Sequence, residues 1–137
     1  MTKIILISCV SRKLDRRSKA KDLYISALFR YNLKYARLLN PDKIFILSAK
    51  YGLLDLEKEI EPYNITLNNL SSMEIKEWAN KVLKELKVQA DIKKDEFIFL
   101  AGNNYRKYLI PQITNYRIPM QGLGIGKQLK FLKEKTK

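Results

Sequence analysis

The stretch KIILISC at residues 3–9 is a continuous apolar run that ends in small residues. Such a run, without polar alternation, is typical of a central strand in a parallel sheet, because helices cover both faces of that strand. Two further runs have the same character, KIFILS at 43–48 and EFIFLA at 96–101. Together they predict three buried strands, and a weaker fourth strand is expected near 115–118.

Helical periodicity separates these strands. Glu74 is placed to form a capping box at the start of the second helix. The expected helices cover 20–39, a segment that begins at Ser71 or Ser72, 105–109 and 127–135. This alternation predicts an α/β protein, a three-layer α/β/α sandwich with a mostly parallel four-stranded sheet, in a single domain over 1–137. In such sheets the ligand binds beyond the carboxyl ends of the strands.

The net charge of +13 is spread unevenly along the chain. Residues 1–50 contain 12 Lys and Arg against 3 Asp and Glu, and residues 103–137 contain 8 against 1. Residues 51–102 contain 7 against 10. If the fold brings the two basic ends together, the resulting face attracts phosphate backbones and predicts salt-sensitive binding of nucleic acid. The alternative is a general enrichment in lysine that serves solubility.

The absence of histidine and the presence of one cysteine exclude several kinds of catalytic and metal site. The chain has no histidine, which excludes Ser-His-Asp and Cys-His machinery and any histidine general base. With Cys9 as its one cysteine, no zinc site is expected, and we expect no metal and no other cofactor. The lone cysteine and the lack of a signal peptide or a long apolar run predict a cytoplasmic protein that does not enter a membrane. We expect it to be a monomer.

Residues suited to a substrate follow the ends of the predicted strands. Hydroxyls and cations suit phosphate oxygens, and the rings of Tyr51 and Tyr63 offer faces on which a base can stack. Cys9 is a candidate nucleophile only if nearby cations activate it, and a buried inert thiol is the alternative. The predicted substrate-binding set is Ser8, Cys9, Ser11, Lys13, Ser48, Lys50, Tyr51, Gly52, Tyr63, Gly102 and Asn103.

Two carboxylates are the candidates for catalysis. Glu61 precedes the stiff Pro62, which limits where the carboxylate can point, and we expect it to project into a pocket at the strand ends. Asp22 is the second candidate, although an acid in a first helical turn is also explained by the helix dipole. The alternative for Glu61 is an ion pair with Lys13 or Lys50 that braces the loop.

The predicted contacts to a nucleic-acid backbone are basic side chains and a glycine-rich segment. GLGIGK at 122–127 lacks the spacing of a phosphate-binding Walker loop and comes too late for a Rossmann fingerprint. Its amides at a helix start can still hold one phosphate, or they can serve only as a cap. The predicted set is Arg12, Arg16, Arg17, Lys19, Tyr105, Arg106, Gly124, Gly126, Lys127 and Lys130.

Several of these segments together resemble a family of small bacterial and phage domains of unknown function. They are CVSRK at 9–13, DLY at 22–24, LSAKYGL at 47–53, IEPY at 60–63, the segment from Gly102 to Tyr105, and GLGIGK. That family is distantly similar to the uracil-DNA glycosylase superfamily, as is the archaeosine synthase domain of tRNA modification. The resemblance implies a base pocket at the strand ends and, for some small relatives, excision of hypermodified bases from phage DNA. Without histidine and without a match to the Gly-Gln-Asp-Pro-Tyr motif of classical uracil glycosylases, uracil is not the expected substrate.

The sequence therefore favours a DNA glycosylase that takes a hypermodified base, such as a glucosylated hydroxymethyl pyrimidine, out of double-stranded phage DNA. In this hypothesis Glu61 or Asp22 stabilises the cationic sugar or orients water. The alternatives are a non-catalytic DNA- or RNA-binding module and a tRNA-modification domain. A catalytic site requires a closed pocket with a desolvated carboxylate, whereas a binding module requires only an open basic face.

Overall fold

A computed structural model of the protein describes residues 2–8 and 13–137. Within them the strands are β1 (Lys3–Ser8), β2 (Ser18–Lys19), β3 (Lys43–Ser48), β4 (Gly52–Asp55), β5 (Glu59–Ile60), β6 (Glu96–Leu100) and β7 (Tyr116–Arg117). The helices are α1 (Ala20–Leu23), α2 (Ala27–Leu38), α3 (Ser72–Gln89), α4 (Asn103–Arg106) and α5 (Ile125–Lys135). Short 3-10 turns occur at Leu67–Asn69 and Ile110–Gln112.

Five strands form the central sheet, in the order β4-β3-β1-β6-β7. β3, β1, β6 and β7 run parallel, and β4 is antiparallel to β3. Ile5 of β1 is in register with Ile44 of β3 and with Ile98 of β6. The three long strands are adjacent, parallel and buried, which confirms the prediction for them. β2 and β5 form a separate antiparallel pair.

Side chains of the long strands alternate between two cores, one on each face of the sheet. Ile5 and Ile7 pack with residues of α2 and α5, whereas Ile4 and Leu6 pack with residues of α3. α2 and α5 also pack against each other. The basic segments at the two ends of the chain therefore contribute neighbouring helices to one face. No helix in the described part of the chain is long and apolar enough to cross a membrane.

The central sheet was predicted to have four strands, but it has five. The strand that was not predicted is β4, which forms where the chain turns at 49–51 and returns antiparallel to β3. The single helix expected over 20–39 is divided in two, because residues 24–26 are extended and Tyr24 forms a β-bridge with Lys13. Ser26 then caps α2 by accepting a hydrogen bond from the Phe29 amide at 3.2 Å.

The predicted capping box at the start of α3 is confirmed. The Ser71 hydroxyl accepts from the Glu74 amide at 3.2 Å, and the Glu74 carboxylate accepts from the Ser71 amide at 3.1 Å. The hydrogen bond from the Ser71 amide, followed by one from the Ser71 side chain, lowers the pKa of Glu74. One turn further on, the Trp78 indole donates to the Ser48 carbonyl at 2.8 Å. This bond attaches α3 to the carboxyl end of β3.

Candidate functional site

A cavity of about 460 Å³ lies at the carboxyl ends of β1 and β6. The first turns of α2 and α5 form its sides, and the Leu67–Asn69 turn contributes Asn68. Most of its walls are apolar, from Leu28, Phe29, Leu100, Tyr105, Ile125 and Leu129. Its polar side chains are Ser8, Ser26, Asn32, Asn68 and Gln128. We call it the strand-end pocket, and its location is the one that the parallel topology predicts.

Asn32 is the most unusual polar residue in this pocket. It lies on the buried side of α2 with Phe29, Leu33 and Ala36, and its exposed fraction is 2%. Its Oδ1 atom is buried without a hydrogen-bond partner in the described structure. An unsatisfied buried acceptor costs about 1–3 kcal/mol of folding free energy. Buried polar groups in native proteins are almost always paired, so this unpaired oxygen makes Asn32 the strongest candidate for a ligand contact in the pocket.

The other polar groups of the pocket are held in place by hydrogen bonds. The Gly102 amide donates to the Ser8 hydroxyl at 3.0 Å and ties the end of β6 to the end of β1. Asn104 donates to the Asn68 side-chain oxygen at 2.8 Å, and Gln128 donates to the Leu123 carbonyl at 2.8 Å. These bonds preorganise hydroxyl and amide groups around the apolar cavity.

A hydroxyl cluster at the end of β3 contains several of the predicted substrate contacts and is closed. The Ser48 hydroxyl donates to the Tyr63 hydroxyl at 2.9 Å. The Tyr63 hydroxyl is also hydrogen-bonded to the Tyr24 hydroxyl, at 2.6 Å. The Tyr51 ring packs edge-on against Tyr63 at 5.7 Å between centroids, and the Lys13 ammonium lies 4.6 Å from the Tyr63 ring centroid. Ser48 is buried. The Tyr63 side chain is 8% exposed, so its ring presents no surface on which a base can stack.

The structure does not place Glu61 as a desolvated carboxylate in the pocket, and its catalytic role stays a prediction. Its side chain is 57% exposed and forms an ion pair with Arg17 at 3.2 Å. Its backbone amide and carbonyl both bond the Tyr51 hydroxyl, which orients the chain around Pro62 away from the pocket lining. Asp22 is also exposed and lines a different cavity, beside α2. Among the described residues that line the strand-end pocket, none carries a carboxylate.

Glu61→Gln is therefore expected to change base excision less than about twofold. It should also lower the free energy of unfolding by less than about 1 kcal/mol, because an exposed ion pair contributes little. The measurements are abasic-site formation and the melting temperature of the same variant. A large loss of excision with unchanged stability would instead place the Glu61 carboxylate at the reaction centre.

The basic residues predicted from the segment after β1 are partly neutralised. Arg16 pairs with Asp15 and Arg17 with Glu61, while Glu57 takes both Lys19 and Lys21 at 3.1 and 2.9 Å. Hydrogen bonds from Lys21 and Lys19 lower the pKa of Glu57, and the bond to Glu57 raises the pKa of Lys19. Lys50, Lys127 and Lys130 are exposed. Some of the cations predicted to contact phosphate are therefore already paired with a carboxylate, and others are exposed.

Three further predicted residues make contacts within the protein. Tyr105 is 2% exposed, and its hydroxyl accepts from the Leu67 amide, so little of it is available to a nucleic acid in this conformation. Arg106 donates to the Ala101 carbonyl at 2.6 Å, and partial burial lowers its pKa. Gly52 is buried against Glu85 and has a φ of 78°, which gives this glycine a structural reason of its own.

The remaining predicted positions are either open or not described. Gly102 and Asn103 begin α4, and Gly102 lines the strand-end pocket. Gly124 and Gly126 lie at the start of α5, where an added Cβ atom would meet open space. Cys9, Ser11 and Arg12 lie outside the described residues, and Ser8, the residue before them, lines the pocket.

A family model matches residues 4–134, which include the strand-end pocket and all of the sheet except Lys3. The chain belongs to the DUF6884 family. This is described as a family of unknown function, so membership supplies no activity. A search of curated proteins and a search of solved structures give no match.

The pocket of this DUF6884 member contains residues that were not predicted from the sequence, namely Ser26, Asn32, Asn68 and Gln128. A signal for Asn32 was present. It lies three residues after Phe29 and four before Ala36, so helical spacing puts a polar residue inside the buried stripe of α2. A polar residue at a core position is more informative than an exposed apolar one.

Proposed function

We propose that the protein binds DNA, accepts one nucleobase turned out of the duplex into the strand-end pocket, and hydrolyses its N-glycosidic bond. The observation that carries the proposal is the buried, unpaired carboxamide of Asn32 in a mostly apolar cavity. A nucleobase has two apolar faces and an edge of donors and acceptors. Enzymes that act on a base take it out of the stack and read that edge with hydrogen bonds.

The size of the pocket supports a substituted base. Its volume of about 460 Å³ lies within the range of sites that enclose drug-sized ligands, and it exceeds the needs of one pyrimidine ring. The additional polar groups, Asn68 and Gln128, suit the hydroxyls of a sugar substituent. A glucosylated hydroxymethyl pyrimidine has this combination of a flat ring and a hydroxylated appendage.

The proposed reaction breaks the bond between C1′ and the base nitrogen. Water supplies a hydroxyl to C1′ and a proton to the departing base. Donors aimed at the base stabilise the negative charge that it gains in the transition state. The Asn32 amide and the Ser8 hydroxyl, both on pocket-lining residues, can supply such donors.

The second candidate function is that of a binding module, which recognises a base but does not cleave its N-glycosidic bond. The observation that favours it is the lack of a carboxylate among the described pocket-lining residues, since none of them offers a negative charge to a cationic sugar. This alternative keeps the pocket and the basic surface and removes only the chemical step.

The deciding experiment compares two duplexes of one sequence, with cytosine or with glucosylated hydroxymethylcytosine. We expect alkali-labile abasic sites in the modified duplex only, and a lower Kd for it. Tighter binding of the modified duplex without any abasic sites would select the reading module. Equal binding of both duplexes without cleavage would contradict the pocket assignment.

A further inference from the structure

We infer that the nucleic-acid backbone crosses the protein along a groove beside α2, on three cations of that helix that lie outside the predicted phosphate contacts. This inference rests on the proposed function and specifies where its DNA lies. The groove has a volume of about 500 Å³, with Phe29 and Leu33 among its apolar lining. Its basic side chains are Lys21, Arg30, Lys34 and Arg37, against the single carboxylate of Asp22.

The three cations of α2 are spaced to follow a strand. Arg30, Lys34 and Arg37 are four and three residues apart, so they project from the same side of the helix. Seven residues of helix rise about 10 Å. Phosphates of one strand recur every 3.4 Å or so along a duplex. The row therefore spans about three phosphates.

These cations are also free of intramolecular partners. Within residues 2–8 and 13–137, Arg30, Lys34 and Arg37 are exposed and form no ion pair. Arg16, Arg17 and Lys19, by contrast, each pair with a carboxylate. An unpaired cation gains more from a phosphate, because no existing pair has to be broken. Of these two segments, α2 therefore carries more unpaired positive charge than the segment before α1.

The groove and the strand-end pocket share a wall. Phe29 lines both cavities, and it lies in the first turn of α2. The two cavities therefore meet at the Phe29 side chain, near the start of the row formed by Arg30, Lys34 and Arg37. This arrangement allows the backbone to stay in the groove while one base passes around the helix start into the pocket.

The test neutralises the row and compares it with an equal charge change elsewhere. The variant is Arg30→Gln/Lys34→Gln/Arg37→Gln. The control is Lys84→Gln/Lys87→Gln/Lys93→Gln, whose exposed lysines lie on α3 and the turn after it, across the sheet. Binding of a duplex oligonucleotide is measured between 50 and 200 mM NaCl, and melting temperatures confirm that each variant is folded.

In the α2 variant we expect the slope of log affinity against log salt concentration to become less negative by about 2–3, because each phosphate contact contributes about −0.9 to that slope. At 100 mM salt its affinity should fall a hundredfold or more, while the control keeps the wild-type slope. If both variants behave alike, the groove is wrong and the proposed function stands. Weaker binding with an unchanged slope would also overturn it. If the wild type does not bind DNA, the proposed function fails, and the groove with it.

Discussion

Asn32→Leu is expected to raise the free energy of unfolding by about 1–2 kcal/mol and to abolish base excision. The leucine side chain has nearly the same shape as asparagine and removes a buried acceptor that has no partner in the described fold. Removing such a group recovers its desolvation cost. The same change deletes the polar contact proposed for the base, which should reduce excision a hundredfold or more, the range measured for single oriented hydrogen-bond donors.

The opposite signs of these two effects distinguish a binding residue from a structural one. Residues that a protein keeps at a cost to its stability are concentrated at functional sites. Asn32→Asp is the matched control, because it keeps the size of the side chain and adds an unpaired buried charge, so stability should fall. Denaturant unfolding and abasic-site formation are measured on both variants. If Asn32→Leu destabilises the protein, the carboxamide serves the fold and the pocket loses its main support.

Gly52→Val is expected to lower the free energy of unfolding by about 2–4 kcal/mol. At a φ of 78° the backbone of Gly52 is in the left-handed region, which costs other residues about 1–2 kcal/mol. An added Cβ atom would also meet the Glu85 carboxylate, which accepts a hydrogen bond from the Leu53 amide at 3.3 Å. The Glu85 carboxylate has to move and give up this hydrogen bond, which costs about 1–2 kcal/mol more.

The loss should appear as a fall in melting temperature of about 10 °C, given the size of the domain. Gly126→Ala is the control, because Gly126 lies in the first turn of α5 without a positive φ and with open space around it. Its melting temperature should stay close to that of the wild type. A stable Gly52→Val protein with impaired binding would return Gly52 to the substrate contacts.

The parts of the fold that could be predicted are those with a local signal. Continuous apolar runs identify β1, β3 and β6, and the capping box identifies the start of α3. β4 escaped prediction because four residues that follow a tight turn carry almost no periodicity. The break at 24–26 escaped because the bridge between Tyr24 and Lys13 is a tertiary contact, which overrides the helical pattern around it.

The site was predictable in position but not in composition. The rule for parallel sheets places Ser8 and Gly102 together, and they are hydrogen-bonded at 3.0 Å. The prediction for Glu61 rests on the stiffness of Pro62 and the prediction for Tyr63 on its ring, yet long-range partners, Arg17 and Tyr24, determine what each of them faces. The assignment of Asn32 to the site rests on the absence of a hydrogen-bond partner for its side-chain oxygen in the described fold, and only coordinates reveal that absence.

The outermost strands of the sheet have a consequence for behaviour at high concentration. β7 contains two residues, and the guanidinium of Arg117 pairs with Glu96 of the neighbouring strand. At the other border, β4 contains four residues and ends on the exposed Asp55. Long, flat, apolar borders invite strand addition and fibrillar aggregation, whereas short charged ones discourage both. The sheet thus offers little backbone for a second copy to extend, and a concentrated solution should remain free of sheet-mediated aggregates.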